Sequence, residues 1–313
     1  MSVFFIALQQ TLLLSMLALV GFVLRKRSVL RAEDMGALSR LTLSVGVPAL
    51  IFSSFLEVQL TPGFGRSALV FVVCQLALLL LHALLAYALG RLFRCSRKRM
   101  GVWLFGLVFT NGGMIGMVVL SALYGQATLV YGSFGLIIYG VLFTSVGAWI
   151  MNYYGDKPLK KSKWYGVFLQ PPVLMGVLGA LIAGFSLPVP AVVRDLAGML
   201  KGLTTPLALF LVGATLADFD LKATLKDRHL YIHTVLKALV FPLLTFLLLR
   251  LLPLDRNAFI TLVIFAAMPC AAVMAIYAEE GGSDELFASQ LTVLSTLATV
   301  ITIPLFALLL AGI

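Results

Sequence analysis

The sequence predicts an all-α polytopic membrane protein with ten transmembrane helices. Hydrophobic residues make up 61% of the 313 residues and charged residues only 12%, whereas about 25% of a typical soluble domain is charged. The apolar residues lie in separate stretches of roughly 18 to 22 residues or more, which is long enough to cross a hydrocarbon core of about 30 Å. This composition excludes an ordinary water-soluble domain.

The ten spans follow one another with short polar segments between them. The first is interpreted as a retained span, because no positively charged segment precedes it and no small-residue cleavage site follows it. In order, the spans are Val3 to Leu24, Asp34 to Leu56, Ser67 to Phe93, Gly101 to Tyr124, Ala127 to Met151, Phe168 to Leu187, Val192 to Ala217, Leu230 to Leu252, Ala258 to Ala278, and Leu286 to Ala311.

Most lysines and arginines lie in the segments after the odd-numbered spans, up to span seven. The positive-inside rule places these segments in the cytoplasm and both termini outside it. We therefore expect a multi-pass cell-membrane protein, in the inner membrane if the source is bacterial. The basic residues are Arg25, Lys26, Arg27, Arg31, Arg91, Arg94, Arg97, Lys98, Arg99, Lys157, Lys160, Lys161, Lys163, Lys222, Lys226 and Arg228.

The net charge of +10 does not predict nucleic-acid binding, because the basic residues are spread over short loops. They are interpreted as determinants of topology, and membrane lipid is an expected partner. The three cysteines, Cys74, Cys95 and Cys270, have no metal-binding spacing and are expected to be free thiols.

Two similar halves are predicted, residues 1–151 and 167–313, joined by a cytoplasmic linker at 152–166. Each half has five spans, so the second must be inverted relative to the first. Pro206 follows Pro48 by 158 residues, and Phe265 follows Phe109 by 156. These similar offsets favour a duplicated unit.

The fourth and ninth spans are predicted to be broken and to cross each other. Asn111-Gly112-Gly113 interrupts the fourth span and Pro269 the ninth, and both elements disfavour a continuous helix. Paired broken helices in inverted repeats indicate a substrate site at the membrane midplane. Half-helices that begin near Met114 and Cys270 would direct their positive ends at the crossing, which favours an anion.

The candidate substrate-binding residues are those at the two breaks and one nearby tyrosine. The amide of Asn111 is expected to contact the substrate or an ion, to cap the following half-helix, or to do both. The full set is Asn111, Thr110, Gly112, Gly113, Pro269, Cys270 and Tyr139.

A second set of intramembrane polar residues is a candidate for binding a proton or a coupling ion, with interhelical contacts as the alternative. It consists of Gln75, His82, Ser295 and Thr296. Lys237, by contrast, is interpreted as an anchor whose ammonium extends to the cytoplasmic surface.

No enzyme signature is present: the sequence has no metalloprotease, P-loop or nucleophile-elbow motif. We expect no enzymatic activity and no cofactor. Secondary transport is the leading interpretation, and a membrane sensor or channel is the alternative.

Four segments resemble the auxin efflux carrier family, the prokaryotic permeases related to plant PIN transporters and often labelled malonate-type transporters. They are Leu38 to Phe55, Asn111 to Gly116, Pro206 to Leu216, and Ala266 to Pro304. The sequence departs from the family at Val118, where members usually have a proline.

The resemblance implies ten spans in two inverted repeats with crossed, broken fourth and ninth helices, a fold shared distantly with bile acid:sodium symporters. It implies a small organic anion, commonly a carboxylate, as the substrate. Sodium-coupled symport of a bile-acid-like amphipathic acid remains the alternative. The coupling ion, H⁺ or Na⁺, is left open, as is the oligomeric state, for which a homodimer is one candidate.

Overall fold

The computed structural model describes residues 3–58, 63–157, 164–217 and 227–312. These residues form helices and no β-strand, with a short 3₁₀ segment at Trp164–Leu169. We label the helices α1 Val3–Lys26, α2 Ala32–Glu57, α3 Phe64–Leu92, α4 Arg97–Val108, α5 Gly112–Tyr124, α6 Gln126–Tyr154, α7 Pro171–Gly184, α8 Ala191–Ala217, α9 Arg228–Leu249, α10 Arg256–Ala267, α11 Met274–Gly281 and α12 Glu285–Ala311.

Six of these helices, α2, α3, α6, α8, α9 and α12, are long and apolar enough to cross a membrane. Helices α5, α7 and α10 are shorter but also apolar. The prediction of an all-helical protein with several membrane-spanning segments is therefore confirmed. Part of the predicted linker, residues 158–163, lies outside the described residues, and α6 continues past Met151 to Tyr154.

Helix α3 has an apolar exposed face and a buried face that includes polar side chains. Its exposed face carries leucines and valines at helical spacing, among them Leu69, Val73, Leu76, Leu80 and Leu84. Its buried face includes the polar side chains of Gln75 and His82. Because lipid tails are apolar, this outside-apolar pattern is stable only in a membrane.

Both predicted breaks are present. Helix α4 ends at Val108 and α5 begins at Gly112, while α10 ends at Ala267 and α11 begins at Met274. The second half-helix therefore begins four residues later than the expected start near Cys270. Met268 is in an extended conformation, with φ −70° and ψ 152°, and this carries the backbone out of the helical path before Pro269.

Four helices also contain a π-helical turn, and two of these turns are explained by proline. Pro48 and Pro242 each lie two residues after a π turn. Proline lacks the N–H that a regular α-helical turn would use, and the wider turn accommodates that loss. The turns are Thr42–Gly46 in α2, Gly112–Gly116 in α5, Phe143–Gly147 in α6 and Leu236–Val240 in α9.

Glycines bring α1, α2, α7 and α8 into close contact. A Cβ atom at Gly21 would overlap the backbone of Phe210, and one at Gly213 would overlap the Ala18 carbonyl, so α1 and α8 pack backbone to backbone. At Gly179 in α7, a Cβ atom would lie 2.9 Å from the Phe55 side chain of α2. Small residues commonly allow this close approach in membrane bundles.

An arginine joins three segments at one end of the bundle. The Arg99 guanidinium forms an ion pair of 2.5 Å with Asp227 and one of 2.9 Å with Asp284. Both carboxylates also accept backbone N–H groups at the starts of helices, Asp227 at α9 and Asp284 at α12. Arg99 therefore connects the first turn of α4 to two helix caps.

Candidate functional site

A cavity of about 850 Å³ lies at the two breaks. Both breaks contribute to its wall, together with α2, α6, α8, α11, α12 and the segment from Gln170 to Val173. Most of the lining side chains are apolar, and no charged side chain is among the described lining residues. Its volume falls within the range of about 300–1,000 Å³ that is usual for small-molecule sites.

Three of the four π turns contribute residues to this wall. Leu43 and Ser44 come from the turn in α2, Gly113 from the turn in α5, and Phe143 and Thr144 from the turn in α6. π turns change the direction of side chains within a helix and are frequent at functional sites. The cavity thus coincides with the irregular parts of the helices.

Asn111 lies at the first residue before α5 and lines the cavity. Its backbone N–H donates a 2.8 Å hydrogen bond to the carbonyl of Pro269, and its own carbonyl accepts the N–H groups of Ile115 and Gly116. The side chain makes no capping hydrogen bond. Capping by the Asn111 side chain, one of the expected roles, is therefore wrong: the amide bonds no N–H group at the start of α5 and remains available to a ligand.

The start of α5 also offers backbone donors. The helical hydrogen bonds begin at Ile115 and Gly116, so the N–H groups of Gly112, Gly113 and Met114 precede the first bonded turn. Gly113 and Met114 line the cavity. A helix start of this kind favours negative charge through its unpaired donors and its dipole.

The second break contributes differently. The backbone N–H of Cys270 donates to Ser295 Oγ at 3.1 Å, and the Cys270 thiol donates to the Gly106 carbonyl at 3.6 Å. Cys270 is fully buried and does not line the cavity. The N–H group that was expected to face a ligand at this point is thus bonded to a protein hydroxyl. Ala271, Ala272 and Val273 form the cavity wall here instead.

The structure brings five of the predicted site residues to the cavity wall: Thr110, Asn111, Gly113, Tyr139 and Thr296. Four others, Gly112, Pro269, Cys270 and Ser295, are not part of the wall. Gly112, Cys270 and Ser295 are adjacent in sequence to wall residues, and Pro269 accepts a hydrogen bond from the wall residue Asn111. Thr110 and Cys270 pair as an isolated antiparallel bridge, so the two breaks are in direct backbone contact.

Gln75 and His82 lie on α3 and are not among the described residues of the cavity wall. Both are buried, and His82 Nε2 is 3.2 Å from the hydroxyl of Thr245 in α9. Their proposed role with an ion or a proton stays a prediction. Among the described residues, no group of three His, Cys, Asp or Glu side chains has the arrangement of a metal site.

Lys237 is a site residue that the sequence alone did not indicate. The interpretation of this residue as a surface anchor is wrong: the side chain is buried, with 1% of its surface exposed. Its ammonium donates to the carbonyls of Leu107 at 3.2 Å and Phe109 at 3.3 Å, at the end of α4. The available signal was a lysine one helical turn after His233 in an otherwise apolar stretch.

The sequence is similar to a family of membrane transport proteins and to two proteins called transporters. The family model described as "Membrane transport protein" matches residues 6–307. A protein from Methanothermobacter thermautotrophicus that is called an uncharacterized transporter is 27% identical over 294 residues, which cover 94% of this chain and 95% of that protein. An uncharacterized transporter from Methanocaldococcus jannaschii is 24% identical over 226 residues, covering 69% and 71% of the two chains.

Proposed function

This chain belongs to the family of membrane transport proteins, and on that basis we propose that it is a secondary transporter of a small organic anion that works by alternating access. The match agrees with the resemblance that the four sequence segments indicated. Carboxylates are the substrate class that this resemblance implies.

The observation that carries this proposal is the cavity at the breaks. It combines a free amide on Asn111 with the donors at the start of α5. The Ser289 hydroxyl lies on the α12 side of the same wall, where the hydroxyls of Thr292 and Thr296 donate to carbonyls of their own helix. Neutral hydrogen-bond donors beside a helix start bind a carboxylate while allowing its release, which a transport cycle requires.

We further propose that the chain has ten spans in two inverted repeats, with α4–α5 and α10–α11 as the broken fourth and ninth spans. The first residues of corresponding helices support this, because three pairs of them are separated by the same 159 positions. The pairs are Ala32 and Ala191, Arg97 and Arg256, and Gln126 and Glu285. The repeats correspond to residues 1–151 and 167–313, joined by the segment 152–166.

The contacts between the breaks support the same symmetry. An offset of 159 places Thr110 on Pro269 and Asn111 on Cys270. The antiparallel pairing of Thr110 with Cys270, which includes the bond from Asn111 to Pro269, is compatible with a two-fold axis of that correspondence. Repeats related in this way have opposite orientations in the membrane.

Alternating access requires two bodies that move relative to each other. We assign α1, α2, α7 and α8 to one body, because of their glycine-mediated contacts, and the remaining helices to the other. The cavity lies between them. Its lining residues on α2, α8 and α12 lie near the ends that carry the cytoplasmic loops of the proposed topology, so the cavity would open to the cytoplasm.

In this topology the protein is a multi-pass cell-membrane protein with both termini outside the cytoplasm, in the inner membrane if the source is bacterial. The distribution of lysine and arginine supports this orientation.

A second candidate is sodium-coupled symport of a larger amphipathic acid. The observation that favours it is the size of the cavity, about 850 Å³, together with its mostly apolar wall. A carboxylate with a large apolar body would fill this space better than a short dicarboxylate. Uptake that requires Na⁺ and prefers such acids would support this candidate over the first.

The test is counterflow and uptake in sealed proteoliposomes with labelled short mono- and dicarboxylates and a labelled bile acid. Each compound is tested with Na⁺ or choline and with or without a pH gradient. We expect saturable exchange of at least one short carboxylate. Binding without exchange would instead support a sensor, and unsaturable flux with measurable current would support a channel; either result contradicts the transporter proposal.

A further inference from the structure

The end of α4 leaves several backbone carbonyls without intrahelical partners, as every helix end does. The described structure supplies partners for three of them. The Gly106 carbonyl accepts the Cys270 thiol, and the Leu107 and Phe109 carbonyls accept the ammonium of Lys237. Lys237 therefore provides the positive charge at the negative end of the α4 dipole.

The location of this lysine is costly. Its side chain is buried among α4, α9 and the breaks, and it forms no ion pair with a carboxylate among the described residues. A buried charge without a counter-charge carries a large desolvation penalty. In membrane proteins such a residue is by default a candidate for function.

The neighbouring titratable groups supply no negative charge. His233, one turn earlier on α9, places Nε2 3.3 Å from the Trp103 carbonyl. His82 contacts the Thr245 hydroxyl, and the Cys270 thiol is held by Gly106. The ammonium is therefore balanced by carbonyl dipoles, in the same way that a metal cation is held at an interrupted helix.

We propose that Lys237 is a built-in counter-cation: its ammonium occupies the position that a coupling metal ion would take against the Leu107 and Phe109 carbonyls, so that this protein carries its anion without Na⁺. This inference rests on the proposed transport function and selects its sodium-independent form.

The same lysine also supports anion binding. It lies behind the first break, whose opposite side presents Asn111 and the start of α5 to the cavity. A fixed positive charge beside that wall increases the affinity for an anion and is only weakly screened in a buried position. The charge stays with the protein when the substrate leaves, so no second ion has to be released.

The first experiment measures the melting temperature of the purified protein in detergent. It compares NaCl, choline chloride and methylammonium chloride at equal ionic strength, for the unaltered protein, Lys237→Ala and Lys201→Ala. Lys201 is the matched control because its ammonium pairs with Glu57 on the partly exposed surface of α8. This measurement does not depend on knowing the substrate.

We expect the melting temperature of the unaltered protein to be the same in all three salts. The melting temperature of Lys201→Ala should likewise not depend on the salt. Lys237→Ala should melt lower in choline and recover part of the loss with methylammonium or Na⁺, because either cation fits the space that the lysine vacates. Saturable stabilisation of the unaltered protein by Na⁺ would overturn the proposal. A Lys237→Ala variant that responds to neither cation would overturn it as well.

Lys237→Met provides the second test, because it nearly keeps the volume of the side chain and removes the charge together with its hydrogen bonds to Leu107 and Phe109. We expect a folded protein whose uptake falls at least tenfold, while the unaltered protein transports equally well in Na⁺ and in choline. Normal uptake by Lys237→Met would contradict the role of the charge. If no organic anion is transported even by the unaltered protein, the proposed function fails, and the melting experiment still decides on the counter-cation.

Discussion

The backbone N–H of Asn111 donates a 2.8 Å hydrogen bond to the carbonyl of Pro269. This bond joins the break between α4 and α5 to the break between α10 and α11, beside the pairing of Thr110 with Cys270. Because it uses only main-chain atoms, the contact between the breaks does not depend on the Asn111 side chain. The crossing and the ligand contact can therefore be tested separately by changing that side chain.

We expect Asn111→Ala to reduce anion exchange strongly without lowering the melting temperature. A hydrogen bond to a charged group contributes about 1.5–3 kcal/mol, which corresponds to roughly a 10- to 100-fold loss of apparent affinity. The side chain makes no capping bond whose loss would destabilise α5. The measurement is counterflow in proteoliposomes together with a melting curve.

Asn152→Ala is the matched control, because Asn152 is exposed near the end of α6 and is not part of the cavity wall. It should exchange substrate as the unaltered protein does. Normal exchange by Asn111→Ala would show that the amide does not contact the substrate. A large drop in its melting temperature would show that the amide is structural.

Ser295→Ala is expected to destabilise the second break. The hydroxyl accepts the buried N–H of Cys270 at 3.1 Å, and an unpaired buried N–H costs about 1–3 kcal/mol. Thr299→Val is the control, since that hydroxyl bonds to the Thr296 carbonyl of its own helix. Thermal melting should show a clear decrease for Ser295→Ala and little change for Thr299→Val, and equal decreases would argue against this role of Ser295.

Cys95, in the loop between α3 and α4, is expected to react slowly with maleimide. Burial raises the pKa of its thiol to about 11, with Asp227 adding to the effect and Arg99 opposing it. Only the thiolate reacts, so the labelling rate should keep rising with pH up to about pH 11. Labelling is followed by mass spectrometry in a Cys74→Ser background.

The control for Cys95 is a double variant that combines Cys95→Ser with Ser96→Cys and so moves the thiol by one residue. Ser96 is exposed, so its replacement should titrate near the ordinary cysteine pKa of about 8.5. At pH 7 the control should be labelled at least tenfold faster. A labelling rate for Cys95 that levels off near pH 9 would contradict the raised pKa of its thiol.

The sequence was sufficient to predict the features that depend on local composition. Apolar length and charge distribution indicated the helices, and Asn111-Gly112-Gly113 and Pro269 marked both breaks. Each of these signals acts within a few residues, since glycine and proline disfavour the helix at their own positions. The locations of the breaks could therefore be predicted without knowledge of the fold.

The partners of the breaks could not be predicted in the same way. Lys237 is about 130 positions away from Leu107 and Phe109 in the sequence, and a lysine in an apolar span can equally extend to the surface. The contact of Ser295 with Cys270 depends on how α12 packs against the second break. These assignments required the tertiary structure, because sequence spacing contains no information about them.

The close contact between α1 and α8 predicts a difference between two glycines of the same helix. A Cβ atom at Gly213 would overlap the carbonyl of Ala18, whereas one at Gly198 would have no described atom within 4 Å. Gly213→Ala must push the two helices apart, which costs about 1–3 kcal/mol for an overpacked site. Gly198→Ala only increases helix propensity and should stabilise α8 by up to about 1 kcal/mol. Melting temperatures in detergent should therefore change in opposite directions, and a tolerated Gly213→Ala would show that α1 and α8 are not held in backbone contact.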